Sequence, residues 1–240
     1  MRALALCALA ACSYPEKVLI DAFGTPFGCL NQPLPTTADN PIIISSNKLY
    51  DAIMGTPIGG ASVIGHLTGL PSPVFTIQTN AQGGFNRSQA TGGSPIDFYL
   101  EISANGYETS YYWPPHALSH DWTFMENVLF TSDEANGFAG LAQVTFDVTK
   151  SQMFLRVADC NDTPVAGVTV TTSPAGSQVR YFNGKQPSAT ATATDNMGLV
   201  LVANLPPGNV AVNATGSGMS WRTVNVQSVA GTIIAPTIQP

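Results

Sequence analysis

The sequence predicts an all-β protein built from two copies of one module. Three observations lead there. Only 10% of the 240 residues are charged, whereas 22 are Gly and 18 are Pro. Helices present Glu, Lys and Arg to solvent, and this chain is poor in all three. Short strands joined by Gly, Pro and Asn turns fit its composition better. The second observation is internal repetition. Thr56-Pro57-Ile58-Gly59-Gly60-Ala61-Ser62-Val63 returns as Thr163-Pro164-Val165-Ala166-Gly167-Val168-Thr169-Val170. The third is alternation of apolar with small polar residues after each such turn, the period of a half-buried strand.

Each repeated piece has a physical reading. An apolar run leads in: Ile42-Ile43-Ile44 in the first copy, Met153-Phe154-Leu155 with Val157 in the second. An Asp follows, Asp51 or Asp159. In Thr-Pro-x-x-Gly, Pro fixes φ at the bend and Gly60 or Gly167 supplies a positive φ or a bulge. Further on, Thr79-Asn80-Ala81-Gln82-Gly83 and Thr194-Asp195-Asn196-Met197-Gly198 predict hairpin turns. The Asx side chain bonds backbone two residues on, and Gly takes the left-handed conformation. Val200 and Val202, then Val210 and Val212, flank Leu205-Pro206-Pro207-Gly208 and predict one more hairpin. The second copy carries an insertion, 171–193, read as an extra hairpin or a binding loop.

These motifs resemble the carboxypeptidase regulatory-like domain. The likeness covers 42–112 and 153–240, although Asn80 and Leu199 stand where that family has Asp and an aromatic. The resemblance implies two tandem Greek-key, seven-stranded, transthyretin-like sandwiches. Between them, 113–152 breaks the β pattern and reads as a linker. Ser132-Asp133-Glu134 has the capping hydroxyl and early acids of a helix N-terminus, and Phe138, Leu141 and Ala142 follow at helical spacing. A short helix is expected over 132–142. Residues 13–41, with Pro15, Pro26, Pro33, Pro35 and Pro41, read as a stiff spacer.

Residues 1–12 read as an export signal. Leu9-Ala10-Ala11-Cys12 follows a small apolar run and resembles the lipobox of bacterial lipoproteins. That resemblance implies acylation of Cys12, with the membrane as partner through the lipid anchor. The layout is also similar to uncharacterised lipoproteins of myxobacterium-like bacteria. Ser13, not Asp, after the Cys favours the outer membrane by analogy with enteric lipoproteins. No later apolar run approaches the roughly 20 residues of a spanning helix. Cys29 and Cys160 then remain, an even pair that an exporting compartment allows to bridge. The alternative is two plain buried thiols.

Candidate chemistry is sparse. A net charge of −6 and the absence of a basic cluster argue against nucleic acid. His116 and His120 are spaced i,i+4, so a helix would put both on one face beside a metal, with Asp121 as a third ligand. Trp113-Pro114-Pro115 before them opposes a regular helix, and no HExxH glutamate is present. No Gly-x-Ser-x-Gly elbow and no phosphate loop occur. The sandwich of the intradiol dioxygenases is related to the expected one, but their His-x-His iron pair is absent. Tyr111, Tyr112 and Trp113 are the candidate binding face, because flat apolar rings stack on sugars or anchor a partner. The competing reading has them fill the contact between modules. The expectation is a non-catalytic surface lipoprotein without cofactor, a scaffold or adhesion module facing an envelope protein or polysaccharide. The alternatives are a carbohydrate- or peptide-binding module using the aromatic face and a metal enzyme using His116 and His120.

Overall fold

A computed structural model describes residues 27–124 and 127–240. Cys12, the leader and the first part of the spacer lie outside the described residues. The described chain is nearly all β. The first half holds β1 (Ile42–Ser46), β2 (Leu49–Asp51), β3 (Ser62–Leu67), β4 (Phe75–Gln78), β5 (Phe85–Gln89), β6 (Phe98–Ser103), β7 (Ser110–Trp113), β8 (Trp122–Phe124) and β9 (Asn127–Leu129). After the helix α1 (Ser132–Ala142) come β10 (Ser151–Val157), β11 (Val168–Ser173), β12 (Gln178–Asn183), β13 (Gln186–Ser188) and β14 (Leu199–Leu205). The chain ends with β15 (Gly208–Gly216), β16 (Met219–Ser220), β17 (Val224–Ser228) and β18 (Ile233–Ile238).

The repeated motifs build the same hydrogen-bonded frame twice. The Asp51 carboxylate accepts from the N–H groups of Ile53 and Met54, and Asp159 accepts from those of Asn161 and Thr163. The Thr79 hydroxyl donates to the Ile58 carbonyl at 2.8 Å and accepts from the Ala61 N–H at 3.0 Å. The Thr194 hydroxyl does the same with Val165 at 2.8 Å and Val168 at 2.9 Å. Each buried hydroxyl thus satisfies two backbone groups that no ladder reaches. Gly83 and Gly198 close the equivalent turns at φ 78° and 65°. A Cβ there would run into the carbonyl oxygen of Leu49 or Val157, so Gly is required for space as well as for φ.

Two expected hairpins are crossings instead. β4 pairs with β3 while β5 pairs with β1, so the Asn80–Gly83 turn carries the chain from one sheet to another. β14 pairs with β10 and β12, whereas β15 pairs with β11 and β17. Pro206 and Pro207 lack the N–H groups a ladder needs, and they sit where the chain changes sheet. The inserted stretch does form a hairpin, β12–β13, with β12 extending the sheet at β14.

The two sandwiches are not beads on a string. One nine-stranded sheet runs β13-β12-β14-β10-β18-β7-β6-β3-β4 through both halves. Its seam is the parallel pair β18–β7, with Ile234 opposite Tyr111 and Ala235 opposite Tyr112. Successive side chains point to opposite faces, and the two cores use opposite faces of this sheet. In the first half Val63, Phe98, Leu100, Ile102 and Tyr112 pack with Ile42 and Ile44 of the β5-β1-β8 sheet. In the second half Met153, Leu155, Val200, Val202 and Ile234 pack with Val168, Val170, Val210 and Val212 of the β11-β15-β17 layer. The second sandwich has seven strands of five or more residues, with β13 and β16 as short additions.

The stretch 113–152 is more than a linker. β8 pairs in parallel with β1, and β9 with β2, completing the first sandwich. Their three-residue length hides them from a periodicity argument. The helix lies where it is expected. Thr131 is its N-cap, in a reciprocal capping box with Glu134. Its buried face is Ala135, Ala139 and Ala142, with Phe138 beside them, while Leu141 is exposed. Residues 27–41 do not stand off as a free spacer: Ala38 and Asp39 donate to the carbonyls of Gly93 and Ser119, and Arg222 donates to those of Cys29 and Gln32.

Two predictions follow from the repeated frame. Thr194→Val keeps the shape but leaves a buried N–H and a buried C=O without partners. It should cost about 1–3 kcal/mol in urea unfolding, whereas Thr169→Val at an exposed site should stay within about 0.5 kcal/mol. Equal effects would show that the buried hydroxyl is dispensable. The second concerns Asp51. Burial pushes its carboxyl up, but hydrogen bonds with the N–H of Met54, the hydroxyl of Tyr107, the side chain of Glu134 and the N–H of Ile53 together outweigh that and hold it below the usual value. A depressed folded-state value stabilises above the unfolded value and is lost as pH falls through the folded one. Asp51→Asn should therefore destabilise at neutral pH, and its deficit against the parent should shrink below about pH 4. A pH-independent deficit would remove the carboxylate from the account.

Candidate functional site

A groove of about 740 Å³ opens where the two sandwiches meet. It lies on the face of the long sheet that carries the first core, beyond the edge of the β5-β1-β8 layer. Phe154 and Arg156 of β10, Leu199 of β14, and Ile233, Ala235 and Thr237 of β18 line its floor. Tyr112, Trp122, Phe124 and Val128 form one wall, and Phe138 of α1 with Phe182 of β12 the other. The size and apolar lining suit a small-molecule site.

The rings along the groove are engaged with one another. Phe130 and Phe154 stack at 4.9 Å, and Phe138 meets Phe130 edge-on at 5.4 Å. On the other wall Tyr112 meets Phe124 edge-on at 4.6 Å. The Tyr112 hydroxyl donates to the Val128 carbonyl, and burial pushes its ionisation far up. At one end the lining turns polar. Arg156 is level with Leu199 and Thr237 across the strands and donates to the Asp162 carboxylate at 2.9 Å. Lys185, at the exposed tip of the β12–β13 hairpin, and Gln239 share this mouth.

Tyr111, Tyr112 and Trp113 do not make one exposed face. They are consecutive in β7, so they alternate. Tyr112 is 3% exposed and belongs to the first core; Trp113 is 5% exposed and belongs to the second. Tyr111 is half-buried on the far face beside Glu101, and burial with the Glu101 charge pushes its hydroxyl up to about 12. On that face Trp113 stacks on Tyr99 at 4.2 Å, and Tyr99 on His66 at 4.7 Å, so both Tyr99 ring faces are occupied. Filling the contact between modules is what these aromatics do.

His116 and His120 lie in an irregular segment after Pro114-Pro115, without the helix that would align them. Both line the groove. His116 Nδ1 is 2.9 Å from the Ala117 carbonyl, and His120 Nδ1 is 2.8 Å from an Asp39 carboxylate oxygen. Asp121 accepts the Ile43 N–H at 2.7 Å. Among the described residues no three His, Cys, Asp or Glu side chains gather around a metal position. Cys29 and Cys160 are joined as a disulfide, with Cα atoms 5.6 Å apart. Cys160 is two residues from Asp162, so the bridge sits beside the groove mouth. Sequence reasoning missed Phe154, Arg156 and Lys185, whose meeting depends on the seam; only the insertion around Tyr181-Phe182-Asn183-Gly184 gave a signal.

No protein-family model and no curated protein matches the chain. Among solved structures, the Bacillus anthracis TIE protein aligns with 84% of this chain at 12% identity and a TM-score of 0.29. The alignment spans 34% of that protein, about a third of its length. The 3-chlorocatechol 1,2-dioxygenase of Rhodococcus opacus 1CP aligns with 40% of this chain and 61% of its own, at 12% identity and a TM-score of 0.28. GBS52, the minor pilin of Streptococcus agalactiae, aligns with 84% of this chain and 95% of its own, at 14% identity and a TM-score of 0.26. Superpositions this loose carry no argument about activity, and the β-sandwich assignment rests on the strand pairings themselves.

Proposed function

We propose that this chain is a non-catalytic module of a bacterial cell envelope, exported and tethered through an acylated Cys12. Its two sandwiches are read as carboxypeptidase regulatory-like domains of transthyretin type, serving as scaffold or adhesion piece toward an envelope protein or polysaccharide. The observation that carries this reading is the Cys29–Cys160 bridge, in a molecule whose two halves share one sheet. Disulfides persist in oxidising compartments outside the cytosol. A sheet continuous through both halves, with a covalent tie from the segment before the first sandwich to the second, suits a rigid presenting element. No helix among the described residues is long and apolar enough to cross a membrane, so on this reading attachment falls to the lipid.

The anchor is tested by intact mass. Expressed with its leader in a Gram-negative host, the protein should lose residues 1–11 and gain acyl chains at Cys12. Cys12→Ala should move it from the membrane to the soluble fraction. An unprocessed, unacylated product in the membrane fraction would sink the anchor.

The bridge is tested by stability. A sequence separation of 131 residues gives, by chain entropy, at most about 5 kcal/mol. The double variant Cys29→Ala, Cys160→Ala should unfold at lower urea by a few kcal/mol, and the parent should show no free thiol at these positions until reduced. Two alkylatable thiols in protein from the periplasm would overturn it.

A further inference from the structure

We propose that the groove between the sandwiches takes the alkyl chain of a long-chain carboxylate, with Lys185 holding the acid group at the mouth. The groove has one apolar end and one charged end. Its apolar end is lined by Phe130, Phe138 and Phe154, whose rings pack face-to-face and edge-on against each other. Phe130 and Phe154 stack on each other and Phe138 stands edge-on to both, so these three rings leave no open parallel pair to sandwich a flat ligand. A flexible chain fills such an outline better than an aromatic one.

Among the described residues, the unpaired cation at the mouth selects the head group. Asp162 is paired with Arg156. Asp121 accepts the Ile43 N–H, and His120 is paired with Asp39. Among the described residues Lys185 makes no ion pair, and it is exposed on the hairpin that the second sandwich adds at this rim. The Asp195 carboxylate is close by, on the Gly184 N–H at 2.6 Å, but an incoming anion can meet the Lys185 ammonium without breaking a salt bridge of the described residues. Thr237 and Gln239, on the β18 side of the same groove, are further polar groups of the lining. The ligand is therefore an amphiphile of one negative charge, taken tail-first.

The test uses the full chain carrying Cys12→Ala, so that no acyl group of its own competes. Dodecanoate and dodecanol are titrated below their aggregation limits by calorimetry. Dodecanoate should bind with one-to-one stoichiometry and more tightly than dodecanol. Lys185→Glu, a surface change, should weaken dodecanoate about three- to tenfold and leave dodecanol unchanged. Leu199→Trp should block both ligands while urea unfolding shows that the fold is kept; if it does not fold, Ala235→Phe is used in its place. No saturable binding, equal binding to the filled variant, or indifference of dodecanoate to Lys185→Glu would each overturn the proposal. The readout does not depend on acylation, so its failure and that of the envelope reading are separable.

Discussion

The parallel pairing of β18 with β7 is the constraint on which the rest of the molecule depends. It joins a sheet of the first sandwich to a sheet of the second. Because a strand shows alternate residues to opposite faces, one register decides which core each residue enters. Ile234 goes to the second core and Ala235 to the first. The partner layers must then sit on opposite sides of the common sheet. Each half leaves part of that sheet uncovered. On one side the uncovered part holds His66 and Tyr99, stacked in a row that ends on the buried Trp113. On the other, α1 covers part of it, and what remains is the groove.

The frame of each sandwich was legible because it is local. Asp51 and Asp159 bond N–H groups two to four residues away, and the Asx-Gly turns close within five. Thr79 and Thr194 reach farther, yet they recur at the same place in both copies. The helix was legible for the same reason, since its capping box spans Thr131 to Glu134. Leu141 misled because the buried face of that helix is made of alanines, which carry little pattern of their own.

The groove was not legible, because its floor exists only once β10, β14 and β18 are neighbours. Phe154 and Ala235 are 81 residues apart in sequence and share a row only through that pairing. The aromatic cluster at 111–113 was seen as a unit, but a unit in sequence is divided in space when it lies in a strand. In the sequence Pro206-Pro207 looks like a turn between paired strands. Two residues without N–H groups serve better where pairing must stop and the chain must leave its sheet.

The Cys29–Cys160 bridge also has a mechanical consequence. Consider tension applied between the chain before Cys29 and any point beyond Cys160. The covalent path enters at Cys29 and crosses at once to the second sandwich. Residues 30–159, which contain the whole first sandwich and β10, form a closed ring beside that covalent path, so the backbone tension bypasses them and reaches them only through hydrogen-bonded seams such as β18–β7. With the bridge open, the same tension runs through every residue of the ring, and the first sandwich lies directly in the line of force. Reduction of one bond thus changes which half of the molecule is stretched.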